Sequence, residues 1–521
     1  MPPHSTAETL RFAAELYRRG DVGHARQLYG EVLALEPNNA EALHQAGTAA
    51  AHHGSSDEAL RLLRRAARLD RRNPYVRIEL AATLAALGRA DAALAAIDEA
   101  VALAPALPVT HRLRGDLLKS TGRFDAALHS YTRAAGLTPH DAAIRIQCGN
   151  MLAMCDRMEE AARAYEEALA IEPANAEAHK QRGVALTVLQ RHGEALASLD
   201  RAVGLEPKNA DARYTRAVIL LAVGDYASGF REHEWRWRSR LTSSSLERRA
   251  FTQPGWLGQE SLAGRRILLY SEQGLGDTLQ FCRYASAVAD RGGTAVLQVQ
   301  QPLVELMRGV AGVTEVVSHE EIPPPFDCHC PLMSLPLAFD TRLESVPAPQ
   351  AYLHADPDRI AAWQQRLGER RAPRVGLMWN GNPENPSDRY RSFPLSACLA
   401  YLPAGFEYYS LQRFVRAQDR PALRGGVVRD LAAQQRDFAD AAALCACMDV
   451  VVSVCTSIAH LGGALGRPTW VLLSQQADWR WLLGRHDSPW YPSARLYRQR
   501  VRGDWSEVFT SVAADLVREF H

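Results

Sequence analysis

The 521-residue sequence has no surplus of either charge, no long apolar run and no cysteine pair spaced for a metal. Sixty Lys+Arg stand against 59 Asp+Glu, a formal net charge of +1. No general field draws nucleic acid, and none is expected as a partner. The most apolar stretch, around Val450 to Leu473, is broken by Ser453, Thr456, His460 and Arg467, so no membrane span is expected. Met1-Pro2-Pro3-His4-Ser5-Thr6 lacks a basic region followed by an apolar core; the expectation is a cytoplasmic protein without a signal peptide. The nine cysteines are odd in number and expected as reduced thiols. Cys328-His329-Cys330 and Cys445-Ala446-Cys447 have one-residue spacers where a metal-binding turn wants two, so no metal site is expected. What is present is an ordinary globular composition, 47% hydrophobic and 23% charged, long enough for several domains.

Cut every 34 residues from Thr6, the chain repeats through Ala40, Pro74, Pro108, Ala142 and Ala176. The eighth position of successive units reads Ala13, Gly47, Ala81, Gly115, Gly149, Gly183; the twentieth is alanine in all six, from Ala25 to Ala195. Small residues at fixed positions let two antiparallel helices approach closely. Pro37, Pro105, Pro139, Pro173 and Pro207 close the units, with Arg71 in the second, and reset the chain. A seventh unit opens at Ala210 and keeps Gly224-Asp225-Tyr226, but Gly229 replaces the expected alanine. Its second helix departs into Phe230 to Arg238, which reads as a C-terminal cap. First helices of such units line a groove, with His44, Thr48, Tyr75, Arg112, Asp116, Gln147, Asn150 and Lys180 inward. Residues 1–240 are therefore expected as an α-solenoid that holds a protein segment or serves as a spacer. The spacing resembles the tetratricopeptide repeat over about 200 residues.

Residues 231–249 carry six arginines against three glutamates, with Trp235 and Trp237 among them. The favoured reading is a helix whose tryptophans pack between domains and whose Glu234 pairs with Arg238; nucleic-acid binding is the other. Residues 241–263, with Ser243-Ser244-Ser245, are expected as a linker.

From Arg265 the pattern changes to strand–helix alternation. Expected strands are Ile267–Tyr270, Ala295–Val299, Glu315–Ser318 and Cys328–Leu332. A second set covers Arg374–Trp379, Glu407–Leu411, Val427–Asp430, Val450–Val454 and Thr469–Leu473. The expectation is a multidomain α/β GT-B fold of two Rossmann-like lobes, 264–355 and 356–521, with the final helix packing back on the first lobe.

Two turns carry the chemistry. Ser271-Glu272-Gln273-Gly274-Leu275-Gly276-Asp277-Thr278 links a buried strand to a helical pattern over Leu279–Arg291. Its glycines allow close backbone approach to a ligand. Asp277 either caps the helix or accepts a proton from an acceptor hydroxyl. Ser453-Val454-Cys455-Thr456-Ser457-Ile458-Ala459-His460 ends another strand at a helix start, where free N–H groups, Thr456, Ser457 and His460 suit a phosphate.

Residues 265–500 resemble a heptosyltransferase-type domain, glycosyltransferase family 9, in the subgroup fused to tetratricopeptide repeats. Gln273 to Thr278 is similar to its first-lobe motif, whose aspartate is the proposed base. Thr456-Ser457-x-x-His460 is similar to its diphosphate turn. Trp379-Asn380-Gly381-Asn382-Pro383 with Arg389 and Arg391-Ser392 is similar to its second-lobe entrance. The resemblance implies a metal-independent, inverting glycosyltransferase without a cofactor beyond its nucleotide-sugar donor. Asp277 would be the base, with Gly274, Gly276, Asn380, Asn382, Arg391, Gln412, Thr456, Ser457 and His460 at the donor. The acceptor, a protein such as flagellin, would lie on His44, Tyr75, Arg112, Asn150 and Lys180. Phe438-Ala439-Asp440 and Asp478-Trp479-Arg480-Trp481 look like family elements without an assigned role. Cys455 departs from the family, which has aspartate there; it carries the alternative of a non-catalytic interaction scaffold.

Overall fold

The computed structural model describes residues 5–242, 249–385 and 388–520. The Ser243-Ser244-Ser245 linker expectation lies outside the described residues. The chain forms two compact units, Met1–Pro207 and Lys208–His521.

The first unit is six helix pairs, from Thr6–Arg18 with Val22–Leu35 to Ala176–Val188 with His192–Leu205. Each pair turns through a left-handed residue. It is glycine at Gly20, Gly54, Gly88 and Gly122, then Asp156 and Gln190. Within a pair the eighth position fits the side chain 16 residues on. A Cβ on Gly115 would lie 2.7 Å from the Tyr131 ring, and one on Gly149 2.5 Å from Tyr165. Leu63 and Leu199 oppose Gly47 and Gly183 in the same way. The small residue and its large neighbour are thus one packing device.

The second unit begins with the seventh pair, Ala210–Ala222 and Tyr226–His233, which the division at 207 separates from the other six. Its second helix is only eight residues long, and Gly229 is needed because a Cβ there would meet the Leu221 side chain at 2.7 Å. A 3₁₀ turn, Glu234–Trp237, follows.

Four parallel strands make the first sheet: β1 Arg266–Tyr270, β2 Thr294–Val299, β3 Val313–Ser318 and β4 Cys328–Pro331, in the order β3-β2-β1-β4. Six make the second: β5 Arg374–Met378, β6 Glu407–Ser410, β7 Val428–Arg429, β8 Val450–Val454, β9 Thr469–Leu473 and β10 Ala494–Arg498. Their order is β10-β9-β8-β5-β6-β7, again all parallel. β10 is an element that the sequence reading did not find.

Two expectations are corrected. The helix expected over Leu279–Arg291 is two, Leu275–Phe281 and Tyr284–Asp290. The break is at Arg283, whose buried guanidinium turns in to the carbonyls of Gln280 (2.7 Å), Pro347 (3.0 Å) and Trp490 (2.6 Å). The final helix, Ser506–Phe520, covers the second sheet. Its Val508, Phe509, Val512 and Leu516 join Val375, Leu377, Trp379, Val450 and Val452 in one core. The segment that returns to the first sheet is instead 479–491: Trp479, Trp481, Trp490 and Tyr491 share a core with Ile267, Leu269, Phe281 and Leu297.

Candidate functional site

In each sheet the strand order reverses once, beside β1 and between β5 and β8, the position at whose carboxyl ends open parallel sheets take ligands. Both turns singled out in the sequence leave those ends. The helix that opens after β1, Leu275–Phe281, carries Asp277 in its first turn. After β8 come Cys455, Thr456 and the helix Ser457–Ala464 with His460, and the loop after β5 carries Asn380 to Asn382.

The two turns meet directly. Gly276 stands against the second-lobe helix Ser457–Ala464: a Cβ on it would be 2.9 Å from His460 Cδ2 and 3.6 Å from Ser457 Cα. This glycine therefore makes room for a protein ring, where the sequence reading reserved the space for a ligand. The Asp277 carboxylate caps its own helix, accepting the Gly274 N–H at 2.9 Å. Its other oxygen accepts Arg480 Nη2 at 2.5 Å. The capping reading of Asp277 therefore holds, and the same carboxylate is also paired with the segment that follows β9.

Arg480 is buried and shared. Nη1 donates to Asp478 at 2.8 Å, and the guanidinium lies 4.4 Å over Trp479 and 5.7 Å from the Phe281 ring. One cation serves two carboxylates. Burial raises the Asp277 pKa and outweighs Arg480, which pulls it down. Burial also opposes ionisation of Asp478, but there the Arg480 charge and its backbone N–H win, and the pKa is lowered.

His460 is buried, stacked on Trp481 at 5.3 Å, with Nδ1 2.8 Å from the Tyr491 hydroxyl. Burial, then the Arg480 charge, pulls its pKa down to about 3. It offers a neutral imidazole to an anion, not a cation. Thr456 caps the same helix through Ile458 N–H at 3.3 Å and meets the Ser453 hydroxyl at 3.1 Å. Ser457, half-buried, is the first helical residue. Cys455 accepts Trp481 Nε1 on sulfur at 3.1 Å, and its carbonyl accepts Arg391 Nη1 at 2.7 Å. Arg391 is therefore at the Cys455–Thr456 turn, held also by Asp388, 3.4 Å from its Nε.

Asn380 and Gln412 are buried and bonded inward. Asn380 Nδ2 donates to Asp419 (3.0 Å), and Gln412 exchanges bonds with the Asn380 backbone. They shape the loop and do not face a donor. Asn382 is exposed and accepts the Glu384 N–H at 3.1 Å. Gly274 is exposed at the loop crest. The acidic triplet Asp356-Pro357-Asp358 is a helix start, Asp356 capping Pro357–Leu367 through the Arg359 N–H at 3.0 Å.

The seventh pair is built into this unit. Tyr226 accepts Trp490 Nε1 at 2.9 Å, and Phe230 packs edge-on to Trp479 at 5.8 Å. Arg236, wholly buried, donates to Glu234 (2.5 Å), Glu272 (2.9 Å) and Ser334 (2.7 Å). Glu234 thus pairs with Arg236 and not with the expected Arg238, which lies 5.2 Å from the Trp235 ring. Burial pushes Glu272 up to about 7 against the pull of Arg236. His233, buried beside Tyr214 and Trp479, is held neutral by burial.

In the first unit Tyr75 and Arg112 are exposed, while His44 and Lys180 are half-buried. Lys180 pairs with Glu177 at 2.7 Å. Asn150 accepts the Tyr165 hydroxyl at 2.9 Å, as Asp116 accepts that of Tyr131 at 2.6 Å. Sequence reasoning assigned no role to Arg480, Trp481, Arg283 or Tyr491; only the Asp478-Trp479-Arg480-Trp481 cluster stood out, without a role.

The family described as Tetratricopeptide repeat matches residues 10–74, 44–108, 112–176, 156–210 and 182–232, so the repeats are of this type. A curated relative, Protein FlbA of Caulobacter vibrioides, is 28% identical over 335 residues, 58% of this chain and 54% of its own. The chain spans about half the length of that relative. Among solved structures, MamA is 23% identical with a TM-score of 0.31, covering 33% of this chain and 94% of its own. YrrB, titled a TPR protein with an unusual peptide-binding site, is 19% identical with a TM-score of 0.34, covering 36% and 97%. Among the described residues no helix is long and apolar enough to cross a membrane.

Proposed function

We propose that the Lys208–His521 unit is a GT-B-type glycosyltransferase, inverting and metal-independent. It moves a sugar from a nucleotide-sugar donor to a protein acceptor, such as flagellin, presented by the repeats in the cytoplasm. The observation that carries this reading is the meeting of two switch-point turns, Asp277 on one and the Thr456–His460 helix start on the other. The helix N–H groups, Thr456, neutral His460 and Arg391 receive the diphosphate. An acceptor hydroxyl oxygen attacks the anomeric carbon from the far side. The bond from that carbon to the diphosphate oxygen breaks, its electron pair leaving with the diphosphate, and the hydroxyl proton passes to Asp277. The raised pKa of Asp277 suits a base.

The second reading is a scaffold whose transferase domain is silent. It is favoured by Cys455, whose sulfur accepts the Trp481 indole where the resemblance calls for a carboxylate. The test is release of nucleoside diphosphate from a panel of nucleotide sugars mixed with candidate acceptors. The transferase reading expects release, reduced about 10²–10⁴-fold in Asp277→Asn. No release with any donor, with the acceptor still bound, supports the scaffold.

A further inference from the structure

We propose that Arg480 is a donor-diphosphate ligand held in reserve by Asp277, so that donor binding is what frees the base; this rests on the transferase reading above.

Asp277 comes from the helix start after β1 and Arg480 from the segment after β9, yet they meet at 2.5 Å. As long as Arg480 holds Asp277, one lone pair of that oxygen is engaged, the cation favours the ionised form, and the carboxylate is the poorer base. Arg480 is built to move its allegiance. Its guanidinium plane is fixed by Trp479 and by Asp478, which also accepts its backbone N–H at 3.0 Å. Its Nε is buried without a hydrogen-bond partner. Trp481, the next residue, packs on His460 and bonds Cys455, which puts the cation at the head of the helix Ser457–Ala464.

Two carboxylates share this one guanidinium, so the cluster is net negative and would repel a diphosphate. The repulsion is relieved if Arg480 turns from Asp277 to the phosphate oxygens, which accept bidentate donors as well as a carboxylate does. Asp277 then stands half-buried without its counter-ion, and its affinity for a proton rises. No oxidant or co-reactant is needed; the exchange is one ion pair for another. Without donor the base stays engaged, so the acceptor hydroxyl is deprotonated only when a sugar is present.

Titration calorimetry on the full chain with UDP, GDP, ADP and CDP, and with the matching monophosphates, tests this. The best-bound diphosphate should bind Asp277→Asn about three- to tenfold more tightly than wild type, because the competing charge is gone. Arg480→Gln should bind it at least tenfold more weakly and lose most of the preference for diphosphate over monophosphate. Arg480→Lys should retain part of both. If Arg480→Gln does not fold, Asp277→Asn and Arg480→Lys decide. Weaker binding by Asp277→Asn, or an unchanged diphosphate preference in a folded Arg480 variant, overturns this inference and leaves the transferase reading standing. No binding by wild type overturns both.

Discussion

Gly276 presses on the His460 ring from the opposite lobe, with room for a hydrogen but not for a methyl group. This contact fixes how the two turns meet. Gly276→Ala must displace the ring or the helix behind it, and overpacking of this kind costs about 1–3 kcal/mol. Denaturant unfolding should show that loss, and nucleotide-sugar turnover should fall much more than stability does.

Burial, and then the Arg480 charge, keep His460 neutral, while its Nδ1 meets the Tyr491 hydroxyl and its ring stacks on Trp481. Nucleoside diphosphate affinity should therefore show no histidine titration between about pH 5.5 and 8. The pKa is depressed from 6.5 to about 3, so the unfolded chain binds the proton first. This residue's contribution to stability is full above about 6.5 and is lost as the pH falls towards 3. Unfolding of wild type and His460→Asn across that range should show the steeper acid loss in wild type.

Glu272 has the opposite sign. Its pKa rises from 4.5 to about 7 because burial outweighs the single guanidinium it shares with Glu234. The native state binds the proton more tightly, so its contribution is full below about 4.5 and declines as the pH rises through 7. Glu272→Gln should flatten this part of the profile. Arg236→Met, which strands a buried carboxylate, should cost about 3–5 kcal/mol at neutral pH and less in mild acid. Melting curves across pH read both.

The repeats supply an internal control. Gly149→Ala drives a Cβ to 2.5 Å from Tyr165 and should destabilise by about 1–3 kcal/mol. Gly30, also in a helix, has nothing within 4 Å of its missing Cβ. Gly30→Ala should stabilise by about 0.5–1 kcal/mol. Unfolding of the two variants in parallel checks the opposite signs.

The repeats were legible because their spacing is a direct image of helix packing: each small residue recurs where a large neighbour needs space. The strands were legible because buried parallel strands are short apolar runs, and all nine expected positions hold; the tenth strand, β10, hid because Arg495 and Arg498 interrupt its apolar run. Asp277 and His460 stood out through the turns that carry them. Their partners did not. Arg480 and Arg283 act across more than 200 residues of chain, Asp277 to Arg480 and Arg283 to Trp490, and no local pattern marks such a pair. Asn380 sits in the expected loop but points inward to Asp419, and Gln412, just after β6, turns to the Asn380 backbone, directions that only the packing decides.

The central claim is that the two facing turns bind a nucleoside diphosphate. Thermal unfolding of the full chain with saturating UDP, GDP, ADP or CDP tests it directly, since a ligand at a hundred times its Kd adds about 2.7 kcal/mol to apparent stability. The account predicts a raised midpoint with at least one of the four, diminished in Arg391→Ala. An unshifted midpoint with all four would contradict it.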